Sequence, residues 1–254
     1  MTVQTILWVT MLIMAAGGAI ILAIAKTRTE DEETDGILHG IVPLIAACSY
    51  FAMATHQGAI GLPLGAAAEA NRDFYFARYV DWLFTTPILL YALSSTALHS
   101  AHRRSGAVFG LLAADVLMVV TALFFGATET AWIKWTWFTI SSAAFLGVYY
   151  VIWGPLRAEA AKEREDVRSI YATKATILSV LWFLYPVVLA LGVDGLGTLG
   201  PVATTLAIAI LDVTAKAIYG LYALRNRKRV VDRDLSEGSI SDTAGRAASH
   251  RRAA

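Results

Sequence analysis

Residues Val202–Leu224, VATTLAIAILDVTAKAIYGLYAL, form the last long apolar stretch of the chain. A helix of about 20 residues crosses the roughly 30 Å hydrocarbon core of a bilayer, so this stretch is long enough to span a membrane. Near its middle stands Lys216, where a charged lysine costs about 2.5–3.5 kcal/mol on insertion. Asp212 lies four residues earlier, and a helix places both groups on one face. The pair is either a structural ion pair inside the membrane or the functional centre of the protein.

The rest of the chain shares this apolar character. It has 254 residues, 57% of them hydrophobic, and a mean hydropathy of +0.56. These values exclude an ordinary soluble domain and indicate a polytopic membrane protein. We predict an all-α membrane protein with a bundle of seven transmembrane helices in residues 1–229 and a disordered cytoplasmic tail in residues 230–254. The predicted spans are Ile6–Ala25, Ile37–Thr55, Phe74–Leu93, Ala107–Phe125, Trp132–Trp153, Ala172–Leu191 and Val202–Leu224.

Basic residues mark one side of this bundle. They follow spans one, three and seven and occupy the connection between spans five and six, and cytoplasmic loops are the ones enriched in such residues. We therefore predict an N-terminus outside the cell and a C-terminus in the cytoplasm, in the cell inner (plasma) membrane. Because the basic residues are topology signals and the net charge is only +1, no nucleic-acid partner is expected. The residues are Lys26, Arg28, Arg103, Arg104, Arg157, Lys162, Arg164, Arg168, Arg225, Arg227, Lys228 and Arg229.

Two connections between spans carry further signals. Residues 27–36 are strongly acidic, and most of this run is expected to be solvated. Asp35 differs because it lies four residues before His39 and can share its helical face. The outside segment His56–Arg72 contains small residues and a proline around Gly61, which favours a short hairpin.

Span three carries the densest polar pattern, ARYVDWLFTTPILLYAL. Arg78 and Asp81 are three residues apart, and Asp81 and Thr85 are four apart, so each pair shares a helical face. A buried carboxylate flanked by an arginine and hydroxyl groups indicates a proton or ion path. Asp115 in span four is instead expected to be structural, hydrogen-bonded to a hydroxyl on a neighbouring helix.

Three motifs resemble helices of the microbial (type 1) rhodopsins. The stretch RYVDWLFTTP at residues 78–87 resembles their third helix, and LDVTAK at residues 211–216 resembles their seventh. Trp182 and YPVV at residues 185–188 match the sixth. The resemblance covers the seven spans, from Leu7 to Arg227, and is strongest to the bacteriorhodopsin-type proton pumps.

The resemblance implies all-trans retinal bound covalently to Lys216 as a protonated Schiff base, with no metal. It implies that Asp81 is the counterion and proton acceptor, Asp212 the second counterion and Arg78 an extracellular gate, with Thr85 as the neighbouring hydroxyl. Leu189 departs from the close relatives, which carry a pocket tryptophan there. The residues implied to line the retinal site are Tyr50, Trp82, Thr86, Leu89, Met118, Phe138, Ser141, Phe145, Trp182, Tyr185 and Pro186.

The implied function is a light-driven outward proton pump, an ion translocator rather than an enzyme. Asp81 fits proton transfer, because the chloride pumps of the family lack that carboxylate and its sodium pumps carry asparagine there. One alternative is a sensory photoreceptor acting through a separate transducer, although no transducer is expected. An inward proton pump and a seven-helix transporter without chromophore are the others. The family also implies a homo-oligomer, a trimer or pentamer, surrounded by membrane lipids.

Ala92 stands where pumps of the family carry a cytoplasmic proton donor. It lies eleven residues after Asp81, about 16 Å toward the cytoplasm at 1.5 Å per residue. Aligning Pro43 and Tyr50 with the family's second helix places His39 against this site, and a subgroup of related pumps looks similar. We predict that His39, whose ordinary pKa of about 6.5 suits the cytoplasm, reprotonates the Schiff base, with Asp35 as its partner. The alternative is that His39 only packs and that protons arrive from bulk water.

The outside end also departs from the family pattern. Asp194 matches one of the two glutamates of the family's proton-release site, but Thr204 replaces the other. We therefore expect proton release that is late or follows a different route.

Overall fold

The computed structural model describes residues 1–25, 29–63, 71–99 and 105–252. Within these residues the helices form seven rods, and an antiparallel hairpin joins rods two and three. The first four rods are α1 Val3–Ile24, α2 Glu30–Ala54, α3 Phe76–Ala97 and α4 Ser105–Ala127. Rod five joins α5 Ala131–Val151, a π-helical turn Ile152–Leu156 and α6 Arg157–Ala160, and rod six is α7 Glu165–Leu191. Rod seven joins α8 Pro201–Val213, a second π turn Thr214–Ile218 and α9 Tyr219–Arg252.

The architecture confirms the predicted seven-helix membrane bundle. In the described part of the chain, six rods are long and apolar enough to cross a bilayer, and α3 is the one outside this set. The polar side chains of α3 lower its hydropathy, but Arg78 and Asp81 are buried. Its exposed large side chains include Val80 and Phe84. A helix of this kind presents an apolar face to lipid and a polar face to the interior of the bundle.

Glycines bring the first two rods close together. A side chain at Gly18 would place its Cβ 2.7 Å from Leu44 Cγ and 2.9 Å from the carbonyl oxygen of Gly40. Only glycine fits such a contact, which is the close backbone approach that small residues permit between membrane helices. α1 and α2 therefore pack as a tight pair, and α2 brings His39 and Tyr50 into the interior.

The start of α2 differs from the sequence prediction. Thr29 caps the helix by accepting a hydrogen bond from the amide of Glu32 at 3.2 Å, so the helix begins at Glu30 rather than at Ile37. The expectation that the acidic segment is solvated is wrong for Glu32, which is buried together with Asp35. The cause is the early cap, because it extends the helix through this segment and turns one of its faces inward. Lys26 and Arg28 lie outside the described residues, as do Arg103 and Arg104.

The last rod also differs from the prediction. Where disorder is expected from residue 230, the helix continues to Arg252, and Val230 and Val231 are buried. Arg164, just before α7, lies 2.8 Å from Asp234 and 3.0 Å from Glu237 through its Nη1 atom. These apolar and ionic contacts hold the first part of the tail against the bundle.

The connection between α2 and α3, which is predicted to lie outside, contains the predicted hairpin. Strand β1, Ile60–Pro63, pairs antiparallel with β2, Asn71–Phe74, with Ile60 opposite Phe74 and Leu62 opposite Arg72. Its tip, which includes Gly65, lies outside the described residues. The hairpin matters for the site because it places the side chain of Arg72 in the interior.

Candidate functional site

Lys216 lies in the π turn that interrupts rod seven, between α8 and α9. Such turns replace the regular hydrogen bonds of an α-helix and are frequent at functional sites. Its Nζ donates to Asp212 Oδ1 at 2.8 Å and also to Asp81 Oδ2 of α3. All three side chains are at most 2% exposed. One buried amine thus joins two carboxylates from rods three and seven, as predicted for residues of the centre.

Three further donors surround Asp212. The hydroxyl of Tyr50 donates to Oδ2 at 2.8 Å, that of Tyr185 donates to Oδ1 at 2.8 Å, and Trp82 Nε1 lies 3.3 Å from Oδ1. Because both of its oxygens accept hydrogen bonds, the negative charge of Asp212 is well stabilised. Asp81 Oδ1, in contrast, has no hydrogen-bond partner among the described residues. Of the two carboxylates, Asp81 therefore has the oxygen that can take a proton.

A largely apolar pocket opens beside Lys216. Ten of the eleven residues predicted to line the cofactor site lie on its wall, and the eleventh, Tyr50, instead bonds Asp212. Leu189 also lines it, together with residues that the motifs did not point to. The predicted residues are Trp82, Thr86, Leu89, Met118, Phe138, Ser141, Phe145, Trp182, Tyr185 and Pro186, and the additional ones are Val119, Ala122, Phe125, Ser142 and Ala215.

The pocket fits a flat, conjugated hydrocarbon with one reactive carbonyl group. Its aromatic walls include Trp82 and Tyr185, whose rings meet edge to face at 5.1 Å between centroids. Thr86 of this wall donates to Asp115 Oδ2 behind it at 2.8 Å, and this bond fits the structural role predicted for Asp115. The amine of Lys216 is the group that can condense with a carbonyl. Retinal therefore matches both the shape and the chemistry of these residues.

The end of the site nearest the hairpin holds a second buried ion pair. Asp194, in the connection between α7 and α8, pairs with Arg72 from β2, and Arg72 Nη2 donates to the carbonyl oxygen of Gly126 at 2.7 Å. Lys134 Nζ donates to the backbone oxygen of Asp194 at 2.9 Å. Burial raises the pKa of Asp194, while the positive charges of Arg72, Arg78 and Lys134 act in the opposite direction. Arg72 and Lys134 were missed in the sequence because neither lies in a motif that predicts a partner.

Arg78 lies three residues before Asp81 on α3, and its charge also acts on Asp194 of the second ion pair. It is buried, and its guanidinium is 5.6 Å from the centre of the Tyr75 ring. The other hydroxyl residues predicted here bind the backbone, since Thr85 donates to the carbonyl of Asp81 at 2.8 Å and Thr204 to that of Leu199 at 3.2 Å. Thr204 therefore does not reproduce a carboxylate pair with Asp194.

On the side predicted to face the cytoplasm, His39 and Ala92 are both 1% exposed. His39 Nδ1 lies 2.8 Å from the backbone oxygen of Asp35. A carbonyl oxygen only accepts hydrogen bonds, so Nδ1 carries a proton and Nε2 is the atom that can gain or lose one. Nε2 has no hydrogen-bond partner among the described residues.

Asp35 is the predicted partner of His39, and it holds the imidazole through its backbone oxygen while the charge of its carboxylate also acts on the ring. That carboxylate lies 3.6 Å from Arg227 Nε of α9. The prediction that both groups share one helical face is consistent with this geometry, whereas the sequence indicates Arg227 only as a topology signal.

One buried cation on this side was missed in the sequence. Lys174 of α7 is 1% exposed, and its Nζ donates to Thr96 Oγ1 of α3 at 3.1 Å. A lone lysine within predicted span six, Ala172–Leu191, was the available signal.

The chain matches the family model described as bacteriorhodopsin-like protein over residues 1–230. Archaerhodopsin-2 from Halobacterium sp. (strain aus-2) is 38% identical over 208 residues, which cover 82% of this chain and 78% of that protein. Bacteriorhodopsin from Halobacterium salinarum is 36% identical over 204 residues, covering 80% and 75%.

Solved structures show the same fold. The thermophilic rhodopsin from Rubrobacter xylanophilus superposes with a TM-score of 0.81 at 33% identity, covering 89% of this chain and 96% of that one. The light-driven proton pump from Coccomyxa subellipsoidea gives a TM-score of 0.80 at 28% identity, covering 87% and 95%.

Proposed function

The chain belongs to the bacteriorhodopsin-like family of microbial rhodopsins, and on that premise we propose that it is a light-driven pump that moves protons out of the cell. It is a multi-pass plasma-membrane protein and an ion translocator rather than an enzyme. Similar structures include proteins described as light-driven proton pumps, from Coccomyxa subellipsoidea and Leptosphaeria maculans. The observation that carries the proposal is the contact of Lys216 Nζ with Asp81 and Asp212 at the end of the apolar pocket.

Lys216 would hold retinal, and the aromatic wall that includes Trp82 and Trp182 would restrict its motion. When bound, retinal supplies light absorption and a change of shape that moves the Schiff-base proton on Lys216 Nζ relative to its acceptors. The pocket excludes water around this atom because its lining is largely apolar, and exclusion of water strengthens the electrostatic interactions there.

The protein's own carboxylates then decide where the proton goes. Asp81 Oδ2 touches Lys216 Nζ and its other oxygen lacks a described partner, so Asp81 is the acceptor. Asp212 keeps its charge because Tyr50, Tyr185 and Trp82 all donate to it. This difference between two carboxylates around one amine supports transfer in one direction, from Lys216 to Asp81.

Release on the outside would pass Arg78, whose buried charge stands between Asp81 and the outer ion pair. Asp194 is the candidate release group, but its carboxylate is held by Arg72, whose charge opposes the rise in the pKa of Asp194 that burial causes. The pair therefore supports a release that is late or follows another route. Thr85 would contribute by fixing the backbone of Asp81.

Reloading from the cytoplasm would use His39. Ala92 cannot hold a proton, and the buried Nε2 of His39 is the exchanging atom on this side. Asp35 holds the ring through its carbonyl oxygen, which fixes the tautomer and the orientation of the imidazole.

A sensory photoreceptor is the second candidate, and the observation that favours it is Ala92. A site without a carboxylate donor reloads slowly, which lets a signalling state accumulate. His39 argues against this reading because it supplies a titratable group in the same region.

The test is the light-driven pH change of an unbuffered suspension of cells that express the protein with all-trans retinal. We expect external acidification that an uncoupler abolishes, and none in retinal-free cells or in the Asp81→Asn variant, which should still show a visible absorption band. Alkalinisation would indicate inward pumping. No pH change with a photocycle that recovers in seconds would indicate a sensor, and absence of a visible band would indicate a transporter without chromophore.

We further propose that the N-terminus is outside, that the chain forms a trimer or pentamer in membrane lipids, and that neither a transducer nor nucleic acid takes part.

A further inference from the structure

Lys174 is buried in rod six at the level of the absent cytoplasmic donor. Its Nζ binds Thr96 Oγ1 at 3.1 Å, and Thr96 in turn donates to the carbonyl oxygen of Ala92 at 3.2 Å. The lysine is thereby hydrogen-bonded to α3 one helical turn after Ala92. A buried ammonium is costly in a membrane interior unless it is paired, so a lysine at this place indicates a functional role.

The direct hydrogen-bond partner of Lys174 is a neutral hydroxyl group. Its charge acts on His39 and on Asp35 of α2. The charge of the Asp35 carboxylate favours the charged form of His39, and the charge of Lys174 opposes it. The Asp35 carboxylate also lies 3.6 Å from Arg227 Nε, so it compensates the charge of Lys174 only in part. The groups that bind the lysine or interact with its charge are Thr96 from α3, His39 and Asp35 from α2, and Arg227 from α9. The buried Tyr219 of α9 interacts with Asp35 and with Tyr171 of α7, and Glu32 is buried one turn before Asp35.

The two aromatic hydroxyls in this group do not supply a compensating charge. Tyr171 donates to the carbonyl of Ile152 at 2.5 Å, and the ring of Tyr219 packs 6.0 Å from that of His39. A positive charge in a medium of low polarity acts over several ångströms, and it disfavours a second positive charge nearby. Lys174 therefore opposes the charged form of His39.

We propose that Lys174 is a positioning residue of the proton-uptake path, whose buried charge drives the proton off His39 toward the interior and sets the pH range in which the pump reloads. The proposal rests on the proposed function, because it acts through His39 as the group that reprotonates Lys216. The transferred proton stays on His39 Nε2 until it leaves for the interior, and Lys174 keeps its own proton throughout.

Two substitutions separate a charge effect from other roles. Lys174→Met removes the charge at similar volume, and Lys174→Arg keeps a charge that is not lost at any working pH. The measurement is the decay of the deprotonated photocycle state after a flash, followed across pH in the loaded protein. Lys162→Met is the matched control, since Lys162 is an exposed lysine in the connection between rods five and six.

In Lys174→Met we expect the pH at which the decay begins to slow to move up by about one unit, a tenfold change in proton concentration. The limiting rate at low pH should fall, because His39 then holds its proton more tightly. Lys174→Arg and Lys162→Met should match the wild type. If the decay slows at every pH in both Lys174→Met and Lys174→Arg, Lys174 is a proton carrier and the positioning role is overturned. An unchanged pH dependence of the decay in Lys174→Met would also overturn it.

A second readout does not depend on retinal or on pumping. The imidazole nitrogens of His39 can be titrated by ¹⁵N nuclear magnetic resonance in the retinal-free protein, where Lys174→Met should raise the midpoint by the same amount. If the cells fail to acidify but this midpoint moves, the pump proposal fails and the electrostatic coupling stands. If the cells acidify but the midpoint does not move, only the role of Lys174 fails.

Discussion

At the scale of single residues, hydrogen bonds divide the roles of two carboxylates that face one amine. Asp212 accepts from Tyr50, Tyr185 and Trp82, which stabilise its charge, whereas Asp81 Oδ1 has no partner among the described side chains. The same reasoning applies to His39, where one ring nitrogen is held by a carbonyl and the other is left for exchange. In both cases the group proposed to move a proton is the one whose hydrogen bonding is incomplete.

His39→Asn tests the donor role directly. Asparagine keeps a polar side chain of similar reach but has no group that titrates near neutral pH, so a stored proton is lost. We expect the deprotonated photocycle state to decay more slowly at neutral pH and to follow bulk proton concentration more steeply, as measured by flash photolysis across pH. His56→Asn, at the exposed outside end of α2, is the control and should leave the decay unchanged. If the decay in His39→Asn equals that of the wild type at every pH, reloading comes from bulk water.

At the scale of elements, irregular segments place the charged groups. The π turn of rod seven carries Lys216 and keeps its Nζ 2.8 Å from Asp212, one turn earlier. The β1–β2 hairpin carries Arg72 into the interior, where it joins the connection between α7 and α8 through Asp194 and the end of α4 through Gly126. The hairpin therefore holds α4 and the α7–α8 connection together at its end of the bundle.

Arg72→Gln should weaken these contacts of the hairpin and destabilise the fold. Breaking a buried ion pair on one side typically costs about 3–5 kcal/mol, because the remaining charge is left uncompensated. Burial raises the pKa of Asp194, so this carboxyl stabilises the fold at low pH, and the stabilisation ceases as the pH rises through that pKa. The stability lost in Arg72→Gln should therefore become smaller as the pH falls. Thermal unfolding at several pH values measures the effect.

The double variant Arg72→Gln/Asp194→Asn is the control for that measurement. It removes both charges, so it should recover much of the stability at neutral pH and lose the dependence on pH. Equal destabilisation of Arg72→Gln at acidic and neutral pH would contradict the assigned pairing.

At the scale of the whole molecule, the ends of the rods predict how the chain sits in the membrane. Arg157 lies in the last segment of rod five, and Lys162 and Arg164 follow it before rod six. Arg164 contacts Asp234 and Glu237 near the end of rod seven, so these basic ends share one side. Positive residues favour the cytoplasm. A protease site placed after the C-terminus should therefore be protected in intact cells and cleaved in inverted vesicles. Cleavage in intact cells would reverse the orientation and, with it, the pumping direction expected from Asp81.

The oligomeric state is also a property of the whole molecule. The family resemblance implies a trimer or pentamer, and the bundle offers exposed apolar side chains such as Phe109, Trp132 and Leu146 on rods four and five. Native mass spectrometry of protein extracted in mild detergent should show one of these assemblies. A monomer that persists with lipid added back would contradict the expectation.

The sequence by itself determined the helices and the residues of the centre. Apolar runs long enough to cross a bilayer are local features, and Lys216, Asp81 and Asp212 stand out because charged residues are rare and costly in such runs. The local spacing of Asp212 and Lys216 already predicted a pair, which the structure has at 2.8 Å.

Only the tertiary structure decided which distant groups meet. Tyr50 reaches Asp212 across 162 residues, Arg72 reaches Asp194 across 122, and Lys174 reaches Thr96 across 78. Contacts of this kind depend on how rods rotate and pack against each other, so no local pattern in the chain encodes them. The physical reason is the cost of a buried charge: a sequence shows that such a charge must be satisfied, whereas the packed bundle determines the group that satisfies it.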